Sequence, residues 1–308
     1  MRILLCLALA IGLAAEASSL DKTDFPPVLG GFVKSKDWKY NREKGQEEFI
    51  GDVSYRNPNY FLKSDWALDD KKQEQVQLKG SVYINALRKD GSVLENYSDR
   101  ADYSKKSGLA HFFAGKEPAR MIYTPADKKY VMDSLSDAVL VEEKKSRLLL
   151  TGNVKCHIQR EDGSETRTFS DKADYNDITG LGNLAMNTQE GRVKITHTDP
   201  KQGNMSALSR ATDFDSKREL ATFTGDASLS ADGMTSRSDL AVYDFKTTNL
   251  DLSGGRPVVW GARNGYDFAM QADFITVNRS SETMKARGRT RGWTRKQLSE
   301  PTAVTGKK

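Results

Sequence analysis

Apolar and polar residues alternate with a period of two along most of the chain. Val76, Leu78, Gly80, Val82, Ile84 and Ala86 share one parity. So do Leu148, Leu150, Gly152, Val154, Cys156 and Ile158, and again Ala221, Phe223, Gly225, Ala227, Leu229 and Ala231. The residues between them are mostly Lys, Gln, Thr, Ser, Asn and Asp. Successive strand side chains point to opposite faces, so this pattern predicts half-buried β-strands. Apolar residues seldom recur at helical spacing, and the chain is expected to be all-β. Asp-Gly at 90–91, 162–163 and 232–233 predicts hairpin turns.

The alternation is carried by a repeat. Gln77-Leu-Lys-Gly80-Ser-Val82 leads through Asp90-Gly91 to Ser98-Asp99-Arg-Ala101-Asp-Tyr103. Leu150-Thr-Gly152-Asn-Val154 leads through Asp162-Gly163 to Ser170-Asp171-Lys-Ala173-Asp-Tyr175. Phe223-Thr-Gly225-Asp-Ala227 leads through Asp232-Gly233 to Ser238-Asp239-Leu-Ala241-Val-Tyr243. Gly80, Gly152 and Gly225 stand 72 and 73 residues apart, and shorter half-repeats begin at Ala67, Ala138, Ala211 and Ala272. Fixed-period self-similarity predicts an array of equivalent supersecondary units. Each repeat glycine falls inside a strand, in the middle of the apolar face. A glycine there marks a bulge, a bend or a close approach. Two readings follow: the strand bends so that the sheet can curl, or the curl also leaves an apolar groove along the stack.

The first residues read as an export signal. Met1-Arg2 is a short positive start, Ile3 to Ala15 is almost unbrokenly apolar, and Ala15-Glu16-Ala17 offers small residues for cleavage before Ser18. The run falls short of the ~20 residues a membrane helix needs. The sequence therefore divides into a signal peptide at 1–17, a lead segment at 18–45, units at 46–134, 135–204 and 205–298, and a disordered tail at 299–308. The expected location is the periplasm.

Composition narrows the chemistry. The 308 residues include 3 His and 2 Cys, little material for a zinc site or a Cys/His nucleophile. After cleavage Cys156 is the remaining cysteine; it sits at an apolar-parity position and reads as a small buried hydrophobe. His157 points to the other face, so the pair is no dyad. Asp99, Asp171 and Asp239 each follow Ser at an expected strand start, where Asp makes local backbone hydrogen bonds. No phosphate-cradling glycine loop, nucleophile elbow or metal-ligand spacing occurs. No cofactor, metal or catalytic residue is expected, and the chain reads as a non-enzyme.

The recurrent L-x-G-[NSD]-[VA], the Asp-Gly turn and S-D-x-A-x-Y together resemble the OstA-like family of lipopolysaccharide-transport proteins, of periplasmic LptA/LptC type. The resemblance covers roughly residues 46–292. It implies a repeat-built antiparallel open β-jellyroll (a β-taco) with a longitudinal apolar groove for lipid A acyl chains. It also implies edge-strand pairing with other OstA-like components, and homo-oligomers as one such assembly. On this reading the chain is a lipopolysaccharide carrier bridging inner and outer membranes. The alternative is a periplasmic scaffold for outer-membrane assembly that pairs by its edges without lipid. The inward residues Val82, Ile84, Leu150, Val154, Cys156, Ile158, Phe223 and Leu229 become the expected groove lining.

Charge adds one further feature. Net charge is +5, from 47 basic and 42 acidic residues. Lys285, Arg287, Arg289, Arg291, Arg295 and Lys296 cluster with no acid between Thr283 and Ser299. Strand parity predicts Lys285, Arg287, Arg289 and Arg291 on one face, and Arg287, Arg289 and Arg291 are the candidate phosphate contacts. Export argues against nucleic acid as a partner. The bland reading of the cluster is a solvated edge that discourages aggregation.

Overall fold

A computed structural model describes residues 31–296, apart from 89, 90, 177, 201, 202 and 264. The signal-peptide segment, the tail and Asp90 of the first Asp-Gly turn lie outside the described residues. The described chain forms one 24-stranded sheet in which every pairing is antiparallel. A single turn of 3-10 helix at Glu143–Lys145 is the sole helical element among the described residues.

Long strands and short ones alternate in groups. Short β1 (Phe32–Lys34) and β2 (Asp37–Asn41) precede the long strands β3 (Gln46–Arg56), β4 (Tyr60–Asp70), β5 (Gln75–Leu87) and β6 (Val93–Ser104). Four half-length strands follow: β7 (Leu109–Phe113), β8 (Ala119–Thr124), β9 (Tyr130–Ser136) and β10 (Ala138–Glu142). Then come long β11 (Arg147–Arg160) and β12 (Glu165–Asn176). The next half-length group is β13 (Leu181–Ala185), β14 (Val193–Asp199), β15 (Gly203–Ser209) and β16 (Ala211–Asp215). Long β17 (Leu220–Ala231) and β18 (Met234–Asp244) lead to a final group. It comprises β19 (Asn249–Ser253), β20 (Val258–Arg263), β21 (Tyr266–Gln271), β22 (Phe274–Asn278), β23 (Thr283–Arg287) and β24 (Arg291–Lys296).

The long strands are bent in the middle, so each contributes one half to each of two facing ladders. The first ladder runs β2-β3-β4-β5-β6-β7-β10-β11-β12-β13-β16-β17-β18-β19-β22-β23. The second runs β1-β3-β4-β5-β6-β8-β9-β11-β12-β14-β15-β17-β18-β20-β21-β24. The lead segment thus contributes to the stack, because β1 and β2 both pair with β3. Residues 134/135 fall within β9 and 204/205 within β15, so backbone pairing runs unbroken across both expected unit boundaries.

The bend is a β-bulge built from two consecutive left-handed residues. Gly152 (φ +76°) and Asn153 (φ +47°) stand together against one residue, Asp171, between the Thr151↔Lys172 and Val154↔Ser170 pairs. Gly51-Asp52 opposite Asp65, Gly80-Ser81 opposite Asp99, and Gly225-Asp226 opposite Asp239 repeat it. Glycine adopts positive φ without penalty, and short polar residues such as Asn and Asp tolerate it best among the rest. This is why the motif reads Gly followed by Asn, Ser or Asp. A bulge kinks its strand and increases the local twist, and four in register make a continuous crease.

The partner strands read the same geometry from the other side. Ser170 is inward on the second ladder, Asp171 lies at the crease, and Ala173 and Tyr175 are inward on the first. The extra residue across the bulge shifts parity by one, which accounts for the spacing in S-D-x-A-x-Y. Asp99, Asp171 and Asp239 therefore sit mid-strand, a correction to their expected place at a strand start. Asp171 Oδ2 accepts from the backbone N–H of Asn187 at 2.8 Å, a distant residue on the β13–β14 connection.

Inward side chains of both ladders form one buried cluster, with Leu148, Leu150, Val154 and Ala173 fully buried at mid-stack. A Cβ on Gly152 would collide with the Asp137 carboxylate and would hold an unfavourable φ. Gly152→Ala should therefore destabilise the chain by about 1–3 kcal/mol, read as a lowered urea midpoint. The Gly152→Ala/Asp137→Gly pair should recover part of the loss, because it removes the Asp137 side chain, Cβ included, but not the strained φ. An unchanged midpoint in Gly152→Ala would contradict the crease.

Candidate functional site

The interior differs between the middle of the stack and its C-terminal end. Val82, Leu150, Val154, Cys156, Ile158, Phe223 and Leu229 are between 0% and 7% exposed. Ile84 is half-buried and packs against the same cluster. These expected groove positions all point between the ladders, where seven belong to one buried cluster and Ile84 packs against it. Burial pushes the Cys156 thiol above its ordinary pKa. His157 points outward, with Nε2 3.3 Å from Glu165.

Among the described residues, no further rung covers the two ladders at the C-terminal end. A cavity of about 510 Å³ opens there, lined by Phe268, Met270, Val277, Met284 and Trp293 among others. β21 and β24 supply one wall, and β22 and β23 the other. Register explains which side chains reach it. Phe268 and Met270 are partly buried and stand opposite Thr294 and Gly292, so those four share the inner face. Val277 stands opposite Met284 and Ile275 opposite Ala286 on the facing wall. Gly292 lets the Met270 side chain pack close, since a Cβ there would stand 3.1 Å from Met270 Sδ.

β23 and β24 are edge strands, each paired with one neighbour. All six residues of β24 are exposed. Their outer faces carry the cations, but not as parity along one strand predicts. The chain turns at Gly288 (φ +72°) and Arg289 (φ +36°), the same two-residue left-handed step that forms the crease. Lys285 and Arg287 consequently lie on the outer face of the first ladder, and Arg291 on the outer face of the second. Arg289 lies at the bend and is ion-paired to Asp273 at 2.8 Å. That guanidinium holds the Asp273 carboxyl below its usual pKa. Arg295 faces Asp267 at 3.6 Å. Arg287 and Arg291 thus lie on the outer faces of the two walls and do not line the cavity, and Arg289 is paired at the bend.

The long edges away from the crease are partly bridged. Arg279, just past β22 on the first ladder, donates through Nε to Asp232 at 2.9 Å, on the β17–β18 turn of the second. The Tyr103 hydroxyl donates to Glu143 Oε2 at 3.2 Å, where burial raises the Glu143 pKa. Among the described residues no cluster of His, Cys, Asp and Glu could hold a metal ion. No helix of the described residues is long and apolar enough to cross a membrane.

The cavity residues Phe268, Met270, Met284 and Trp293 were not singled out from sequence. The available signal was the alternation Phe268-Ala-Met270 and Met284-Lys-Ala286. Recognising its meaning requires knowing that these strands form the last rungs.

No family model matches the chain, and no curated protein is similar to it. Among solved structures, the chain is similar to LptH of Pseudomonas aeruginosa, the LptA-homologous periplasmic component of the conserved lipopolysaccharide transport device. The TM-score is 0.34 at 10% identity, over 40% of this chain and 82% of that chain. A likeness of that size carries no further argument.

The burial of Cys156 separates a filled interior from an open one. In the folded protein Cys156 should resist alkylation by iodoacetamide, and it should react fully in urea, read by peptide mass spectrometry. Rapid labelling of Cys156 in the native state would contradict the packed mid-stack.

Proposed function

We propose that the chain is an exported carrier for an amphipathic lipid of the lipopolysaccharide type. The observation that carries this reading is the apolar cavity at the C-terminal end, walled by both ladders, with Arg287 and Arg291 exposed on the outer faces of those walls. Acyl chains gain about 0.8 kcal/mol for each methylene removed from water. A phosphorylated headgroup left outside would meet Arg287 and Arg291. Chains advance inward by parting the ladders, which are joined covalently at the crease, and by displacing the contacts of Leu229, Phe223 and Val154. Val82, Ile84, Leu150, Cys156 and Ile158 continue that path.

The repeat motifs that resemble the OstA-like family and the signal-like start at residues 1–17 support a periplasmic site of action. The reading requires no catalytic step and no cofactor. It treats 46–134, 135–204 and 205–298 as successive carrier units. The second reading, an adaptor without lipid, is favoured by the outer edges of β1, β2, β23 and β24, which no other strand of the described residues pairs. Such edges offer free N–H and C=O groups to another strand. The same edges would join a carrier to other transport components.

A photocrosslinking residue placed at Met284 or Phe268 in cells should yield an adduct with lipopolysaccharide, and one placed at outward Arg167 should not. Met284→Asp should weaken lipopolysaccharide binding by roughly tenfold or more, because it puts a carboxylate into an apolar cleft. Absence of an adduct from both cavity positions would reject the carrier and leave the adaptor.

A further inference from the structure

Arg88 is a buried cation without a partner. It follows the last residue of β5, at the long edge of the second ladder. Its backbone N–H donates to Ser92 O at 2.8 Å, and its carbonyl accepts from Gly91 N at 2.9 Å. The side chain continues the inward parity of Val82, Ile84 and Ala86 and is 8% exposed. None of its three guanidinium nitrogens has a hydrogen-bond partner. Its charge is felt at Tyr60, and it lies over the Tyr123 ring, whose centroid is 5.8 Å from Cζ. That contact offers attraction to the charge but accepts no N–H in the guanidinium plane.

A buried guanidinium with no counter-charge is costly, and buried charges are normally paired. The same place one repeat later shows the usual solution: Arg160, 72 residues on, donates to Thr166 Oγ1 at 3.3 Å. The corresponding residue of the third repeat is Gly233, which carries no charge. Arg88 therefore departs from its own repeat. A second unpartnered group faces the same interior. The Asn96 side chain, on neighbouring β6, is 3% exposed, and neither its nitrogen nor its oxygen has a partner. Between them the inner face is apolar, with Ala86 opposite Leu94 and Leu94 opposite Tyr123.

We propose that Arg88 is an anion-binding residue that takes a phosphate-type oxyanion, free or carried on an amphipathic lipid, between the ladders at the edge of the first unit. The guanidinium presents five donors in a planar fork. A phosphate supplies several acceptor oxygens to that fork, and such charge-assisted hydrogen bonds are the strong ones. The site is separate from the cations of β23 and β24 and does not depend on the carrier reading. It would serve equally for inorganic phosphate.

The test uses the full chain and three probes: inorganic phosphate, soluble dihexanoyl phosphatidate, and neutral dihexanoylglycerol. Binding is followed by titration calorimetry. Wild type should bind a phosphate-bearing probe roughly tenfold or more tightly than Arg88→Met does, with Arg88→Lys between them. Equal response to both phosphate probes identifies a free anion as sufficient. Response to phosphatidate alone identifies a lipid headgroup. An Arg287→Gln/Arg291→Gln variant should keep the Arg88-dependent binding. If the loss follows that variant and Arg88→Met binds like wild type, the Arg88 site is overturned while the carrier reading stands. Should Arg88→Met fail to fold, phosphate protection of wild-type Arg88 from phenylglyoxal decides the matter. Phosphate should slow that modification, and unchanged modification would overturn the site.

Discussion

The crease governs this architecture. At Gly51-Asp52, Gly80-Ser81, Gly152-Asn153 and Gly225-Asp226 the chain takes two left-handed residues in succession, and one partner residue spans both. That step sends each long strand from one ladder to the other. Without it the same alternating sequence would give a flat sheet with one wet face and one exposed apolar face. With it, two apolar faces meet, and a chain with 37% hydrophobic residues can still bury a continuous interior. Asp65, Asp99, Asp171 and Asp239 are part of this device, one opposite each bulge. Their recurrence is structural in origin.

The interior is graded along the stack. At mid-stack Leu148, Leu150, Val154 and Met132 fill the space between the ladders, and neighbouring rungs cover them from both sides. At the C-terminal end no further rung of the described residues covers them, and Phe268, Met270 and Met284 line a cavity. The same residue types thus make a core in one place and a binding surface in another. What separates them is the number of described rungs on each side. Charge follows the same logic. At mid-stack Arg147 is tied to Glu142 and Asp174, whereas Arg287 and Arg291 on the terminal strands are exposed on the outer faces of the cavity's walls.

Much of the fold was legible in the sequence. Period-two alternation gave the strands, and the inward parity of Leu148 through Ile158 holds residue for residue across the bulge. The repeat glycines gave the bend. Pairing order was not legible, because half-length strands such as β7 and β8 pair with different halves of one long strand. Nothing in a local pattern says that β7 skips to β10 while β8 continues to β9. The face of the basic cluster was misjudged for a related reason: Gly288-Arg289 is another left-handed step, and parity counted through it fails. The eight groove candidates were correctly placed inward. Burial, however, is a property of the assembled ladders, so their packed state could not be read from single strands. Arg88 followed the apolar parity but carries a charge, and a polar residue at an inward position is the kind of local exception that marks function.

The central claim is that an apolar interior reached from the C-terminal end receives an amphipathic lipid. Hydrogen–deuterium exchange of the full chain, with and without lipopolysaccharide, tests it most directly. The account predicts slowed exchange concentrated in β20 to β24 and extending toward β17 and β18, with β1 to β3 unchanged. Exchange that is identical with and without the lipid, or slowed only in β1 to β3, would contradict it.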